Sequence, residues 1–197
     1  MHQRQTDLFT PAPAVTSAVP GGLRHQPDLI DAATEAALVA DIAGLPFKPF
    51  EFRGYLGARR VVSFGWRYDY TRRVEAEAAP IPAFLLQLRD AVAAFAALPA
   101  KSFRQALVTE YAPGAGIGWH RDKPVFGEVA GVSLASACTL RFRREKPDGG
   151  WERRALIAEP RSAYLLQGPA RDEWQHSIAP LSQLRYSVTF RRYPRES

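Results

Sequence analysis

A chain of 197 residues, 46% hydrophobic and 23% charged, has the length and apolar content to bury the core of one folded domain. Its one cysteine, Cys138, excludes an intrachain disulfide and a thiolate metal cluster, and its setting in SLASACTLRF predicts a buried, inert thiol. The formal net charge of +6 rests more on arginine than on lysine and suits contact with polyanions. No apolar run is long enough to span a bilayer and no leader precedes a cleavage site, so a cytoplasmic protein without membrane contact is expected, and a monomer.

Residues 1–22, with Pro11, Pro13, Pro20, Gly21 and Gly22, read as a mobile arm. Inside it, Gln5, Leu8 and Phe9 form a Q-x-x-L-F segment. That segment resembles those with which bacterial DNA-processing proteins dock on the replication sliding clamp; a tail with two apolar residues is the plain alternative. Residues 23–197 read as a single domain, with helices and an aromatic and basic stretch over 23–100 and a β core over 101–193.

A helix is expected over 27–44, with Asp31 as N-cap, Leu38 and Ile42 as an i, i+4 pair and Gly44 as the stop. A second is expected over 82–98, where Leu85, Leu88, Val92 and Phe95 recur at helical spacing and Pro99 closes the run. Their apolar stripes predict packing against a sheet. Between them, residues 50–73 interleave aromatic and basic side chains. If 60–70 is extended, Phe64, Trp66, Tyr68 and Tyr70 share a face. Aromatic rings stack on bases and guanidinium groups neutralise phosphates, so the stretch suits single-stranded or flipped nucleotides; a core face with solvated arginines is the alternative.

From Phe103 onward short strands dominate, over 105–111, 129–134, 138–142, 154–158, 162–166 and 185–192, with a turn at 146–150. Many short strands between turn residues predict a sandwich, barrel or jelly roll.

The chemistry concentrates in LVTEYAPGAGIGWHRD, residues 107–122. His120 and Asp122 stand two apart, so in an extended backbone both leave the same face and can hold one cation. With His176 they make two histidines and one carboxylate, the set that holds non-heme Fe(II) with open positions. Gly114, Gly116 and Gly118 let the backbone approach a neighbour closely, and Trp119 adds apolar bulk. In the last strand, Arg185, Ser187, Thr189 and Arg191 alternate with Tyr186, Val188 and Phe190. A guanidinium on a core face needs an anion: Glu110, Glu159 or a bound dicarboxylate.

Y-A-P-G-A-x-I-x-W-H-x-D, a distal histidine and R-x-x-x-x-x-R, with G-V-S-L, T-L-R-F and R-Y-S-V-T-F-R in order, resemble the AlkB-like family of Fe(II)/2-oxoglutarate dioxygenases over residues 100–192. The resemblance implies a mainly β fold, a double-stranded β-helix with flanking helices, and Fe(II), 2-oxoglutarate and O2 as cofactors. It implies His120, Asp122 and His176 as iron ligands and Arg185 on the distal carboxylate of 2-oxoglutarate. Tyr111 would hydrogen-bond to that cosubstrate and Arg191 would lie near its chelating end. Thr109 and Ser187 stand where several members have asparagine, and both still donate a hydrogen bond. Pro124 stands where some DNA-repair members carry an acidic residue used on the base.

Residues 50–73 occupy the place of the family's nucleotide-recognition lid, which makes Arg53, Tyr55, Arg59, Arg60, Trp66 and Tyr68, together with Trp119, the candidate substrate residues. The function implied is oxidative demethylation of alkylated nucleic-acid bases in DNA repair, or demethylation or hydroxylation of RNA or tRNA. The same oxygenase chemistry on a protein or small molecule, and a non-catalytic nucleic-acid-binding module, are the alternatives.

Overall fold

The computed structural model describes residues 19–52, 55–69, 74–77 and 79–193, with backbone alone at 52, 55–56, 67–69 and 74–77. The segment carrying Gln5, Leu8 and Phe9 lies outside these residues, as do Arg53 and Tyr70. In chain order the elements are β1 (Leu23–Gln26), α1 (Ala32–Ala43), β2 (Lys48–Phe52), β3 (Tyr55–Asp69), β4 (Val74–Glu77) and α2 (Ala83–Ala96). After a 3-10 turn at Ala100–Ser102 come β5 (Phe103–Tyr111), β6 (Ile117–His120), β7 (Val129–Leu134), β8 (Cys138–Glu145) and β9 (Trp151–Ala158). The chain ends in β10 (Ala163–Leu166), α3 (Gly168–Asp172), β11 (Gln175–Ile178) and β12 (Arg185–Arg192).

Two antiparallel sheets result. The main sheet runs β1-β10-β7-β12-β5-β3-β2 with β4 paired to β3, and the smaller sheet runs β6-β11-β8-β9. From β5 to β12 the chain shuttles between them, which is the double-stranded β-helix of a jelly roll. Alternation along β12 sorts its side chains. Tyr186, Val188 and Phe190 join Ala106, Val108 and Val132 in the core beneath the helices, while Arg185 and Ser187 turn to the space between the sheets. Each fully buried side chain such as Phe190 or Ile42 contributes about 1.5–3 kcal/mol. A second core between the sheets gathers Tyr111, Leu140, Phe142, Tyr164 and Trp174.

Helix α1 begins at Ala32, inside the expected 27–44 span and directly after its expected N-cap: the Asp31 carboxylate accepts the Thr34 N–H at 2.7 Å and so fixes the first turn. Leu38 and Ile42 are its buried pair, as expected. Helix α2 buries Leu85, Leu88 and Val92; it ends at Ala97 in the left-handed region, φ 58°, and Pro99 instead opens the 3-10 turn. Leu23 begins a strand on the edge of the main sheet, paired to Leu166, where the sequence pattern shows too few residues to announce one.

The stretch expected as a lid is partly sheet. Over Arg60 to Gly65, β3 is hydrogen-bonded to β5 as a strand of the main sheet. The shared aromatic face is interrupted at Gly65, where φ is +78° and a Cβ would collide with the Arg104 carbonyl. Phe64 therefore enters the core under the helices, while Trp66 stacks on Tyr193 at 5.5 Å.

Candidate active site

Strand β6 lies against β11 with His120 directly opposite His176, so the two imidazoles leave the smaller sheet on the same side, ring centroids 4.2 Å apart. The loop before β6 is held by close approach: Gly114 N–H donates to the Leu181 carbonyl at 2.7 Å, and a Cβ at Gly116 would sit 2.7 Å from the Ile178 carbonyl oxygen. The His120 ring places Nδ1 2.9 Å from the Gly118 carbonyl. Donation from Nδ1–H leaves Nε2 with its lone pair, the state a metal ligand needs. Burial holds the His120 pKa below its ordinary value. At His176, burial and the neighbouring His120 push it down to about 3, so that ring is neutral.

Asp122 completes the group from the loop after β6. Its Oδ2 faces His176 Nε2 at 3.7 Å, and its side chain is only 6% exposed. Burial alone would raise its pKa, but Arg191 and the two histidines outweigh that and hold it well below the carboxylate range. Arg191 donates to Oδ1 through Nε at 2.9 Å and Nη2 at 2.8 Å. Among the described residues, no three His, Cys, Asp or Glu side chains are already closed into a metal-binding group; the carboxylate is turned onto Arg191.

Arg185 lies 0% exposed on the main sheet and faces the space between the sheets. Its Nε donates to Ser133 Oγ at 3.0 Å, and neither Nη1 nor Nη2 has a partner among the described residues. Neither carboxylate considered from sequence reaches it. Glu110, opposite Tyr186 in register, is turned to the helix side and takes Arg60 at 2.7 and 2.9 Å, and Glu159 is exposed. A buried guanidinium with two idle donors costs several kcal/mol, and a bound carboxylate fitting that fork is the compensation the site lacks. Tyr111 stands opposite Arg185 in register, its ring 5.3 Å from the guanidinium, and Thr109 stands opposite Ser187. All four face the space between the sheets.

The candidate substrate residues divide. Arg59 faces the cavity: its guanidinium lies 3.8 Å over the Phe50 ring, and its charge acts on His120 and Tyr111. Arg60, one residue on, points to the opposite side of the sheet and is bound to Glu110, so the structure does not bring it to the site. Trp66 is engaged by Tyr193 and by Arg104, 4.0 Å over its ring. Trp119 leaves β6 on the face opposite His120 and meets Arg143 at 4.5 Å. The backbones of Tyr55 and Tyr68 lie in β3, and Pro124 is exposed in the turn after Asp122.

Three contributors escape the sequence pattern. Arg171, 5% exposed, donates to the carbonyls of Asp122, Lys123, Phe126 and Gly127 and so clamps the loop that carries the Asp122 carboxylate. Gln105 accepts from Arg191 Nη1 at 3.1 Å. Tyr164 lays its ring over Gly131, where any Cβ would collide with it, and its charge environment includes Arg185 and Tyr111. The visible signal for the last pair was a glycine inside a strand, a mark of close approach.

The chain belongs to the 2OG-Fe(II) oxygenase superfamily, whose family model matches residues 46–191. It is 29% identical over 182 positions to the alkylated DNA repair protein ALKBH8 homolog of Arabidopsis thaliana, covering 80% of this chain and 50% of that protein. It is 31% identical over 105 residues to the uncharacterized protein L905 of Acanthamoeba polyphaga mimivirus, covering 47% and 49%. The chain thus spans about half the length of these curated relatives. Among solved structures, OsALKBH1 superposes with a TM-score of 0.67 at 17% identity over 89% of this chain and 98% of that one. A Pseudomonas putida prolyl-4-hydroxylase gives 0.61 at 16% identity over 89% and 94%. At those identities the likeness is one of fold.

The family implies Fe(II), 2-oxoglutarate and O2, and the residues fit them. Two neutral imidazoles and an ionised carboxylate are the right donor set, and the two idle donors of Arg185 fit a carboxylate.

Proposed function

We propose that this chain is an Fe(II)/2-oxoglutarate-dependent dioxygenase that removes alkyl groups oxidatively from nucleic-acid bases. The observation that carries the oxygenase half is the buried, half-satisfied Arg185 facing the same cavity as His120, Asp122 and His176. His120 Nε2, His176 Nε2 and the Asp122 carboxylate would hold the iron. Arg185 would take the distal carboxylate of 2-oxoglutarate, with Tyr111, Thr109 and Ser187 as polar groups along its length and Arg191 at the metal end. When bound, iron and 2-oxoglutarate supply the hydroxylation of a C–H bond by O2, with succinate and CO2 released. An N-methyl group hydroxylated in this way falls apart to formaldehyde and the bare base nitrogen.

Support for a nucleic-acid substrate comes from the net charge of +6, from Arg59 beside the metal donors, and from the name of the Arabidopsis relative. An aromatic and basic hairpin, β2–β3, borders the cavity at Arg59 and Phe50. Pro124 offers no side-chain acceptor to a base, so base selection falls to groups other than residue 124.

The test is anaerobic reconstitution with Fe(II) and 2-oxoglutarate, admission of O2, and mass spectrometry of methylated DNA and RNA oligonucleotides and tRNA. Formaldehyde and loss of a methyl group from at least one substrate are expected, and both should vanish in His120→Ala while oligonucleotide binding persists. Succinate without any change in the nucleic acid would discard the nucleic-acid half. Unchanged turnover in His120→Ala would discard the ligand assignment.

A further inference from the structure

Trp119 was a candidate for the cavity, yet alternation sends it to the other side of β6, and its surroundings there are not those of an idle surface. Arg143 stands between two indoles, its guanidinium 4.5 Å from the Trp119 ring and 4.1 Å from the Trp151 ring. Arg141 approaches Trp119 at 5.3 Å. Register places Arg153 opposite Arg143 on the same outer face of the smaller sheet, and Arg121 follows β6. Helices α1 and α2 pack on the main sheet and leave this face with Trp151 36% and Ile157 58% exposed.

We propose that this outer face is a second nucleic-acid-binding surface that holds a single strand outside the catalytic cavity. Two indole faces lie close to the Arg143 guanidinium; its Nε is taken by Gln175 at 2.7 Å, and its terminal nitrogens, which have no partner among the described residues, can meet a phosphate. Arg141 Nε and Ser177 Oγ, directly opposite each other in register, are buried polar atoms without partners among the described residues. A groove of about 340 Å³ runs beside Arg143 and Trp151. Arg121, Arg143 and Arg144 line it together with Glu145, Asp172 and Glu173, and Glu173 is bound to Arg144 at 2.6 Å.

Interleaved guanidinium and indole groups match alternating phosphates and bases of an unpaired strand, whereas a duplex offers the phosphates but hides the base faces. β6 is the edge strand of the smaller sheet, with His120 on one side and Trp119 on the other. A strand leaving the cavity over that edge runs directly onto the arginines and tryptophans. The surface rests on the nucleic-acid reading for its purpose, but its binding test is separate.

The experiment uses the full chain without iron or 2-oxoglutarate and follows fluorescence anisotropy of an unmodified labelled single strand and of its duplex. In Arg143→Glu/Arg153→Glu, single-strand affinity should fall at least about tenfold, and the salt dependence should become shallower by about two phosphate contacts. In Trp151→Ala, single-strand affinity should fall about tenfold with duplex affinity unchanged. Arg153→Glu alone, at an exposed position, should give a smaller loss in the same direction and serves if the double variant folds poorly. Wild-type affinity and salt slope in both charge variants would overturn the proposal, as would equal weakening of single strand and duplex in Trp151→Ala. Failure of the catalytic reading shows instead as absent turnover of methylated substrates with these binding differences intact.

Discussion

Arg191 holds the Asp122 carboxylate through two of its nitrogens, 2.9 and 2.8 Å from the same oxygen, in a pocket where the aspartate is 6% and the arginine 13% exposed. The pair keeps an anion ready beside two neutral histidines before any cation arrives. Arg191→Gln leaves that carboxylate buried without its counter-charge. The metal-free protein is expected to lose about 3–5 kcal/mol of stability, read as the urea midpoint at constant m. Fe(II) should restore part of the loss by binding the folded state alone.

Arg185 should report on the cosubstrate with no turnover at all. Saturating 2-oxoglutarate is expected to raise the melting temperature of the wild type, and titration calorimetry should show Arg185→Gln binding it about 100-fold more weakly or worse. Because Arg185 donates only through Nε among the described residues, the same substitution should stabilise the ligand-free fold or leave it nearly unchanged. Undiminished 2-oxoglutarate affinity would remove Arg185 from the binding site.

Arg171 acts through the carbonyls of the 122–127 loop. Arg171→Lys keeps the charge but cannot reach four carbonyls from one planar fork. Fe(II) affinity is expected to drop about 10–100-fold, measured by competition with a chelating dye, while 2-oxoglutarate affinity in the metal-free protein is preserved.

Gly131 and Tyr164 fit as a pair. Gly131→Ala drives a Cβ into the tyrosine ring and is expected to cost about 1–3 kcal/mol in thermal or urea denaturation. Adding Tyr164→Leu should recover much of that cost, a non-additivity that identifies the contact as the cause.

The elements with a strong local period were legible in the chain. Leu38 and Ile42, Leu85 to Val92, and the alternation from Arg185 to Arg191 each state a periodicity and a buried face within a few residues. Short elements whose hydrogen bonds come from far along the chain were not legible. Leu23–Gln26 is a strand because β10, some 140 residues later, supplies its partner. Arg59 and Arg60 look alike in sequence, and only the pleat of β3 against β5 sends one to the cavity and the other to Glu110.

The stretch from Tyr111 to Asp122 and the distal His176 named the donor types, because imidazole and carboxylate chemistry belongs to the residues themselves. The face of the last strand likewise announced buried arginines in want of an anion. Partnership was decided by the tertiary structure alone. Which carboxylate meets which guanidinium depends on strand register and sheet face, and the register gave Glu110 to Arg60 and Asp122 to Arg191 while leaving Arg185 with two idle donors. The same register turned Trp119 outward, away from His120 and His176 and onto Arg143, because consecutive residues of a strand cannot share a side.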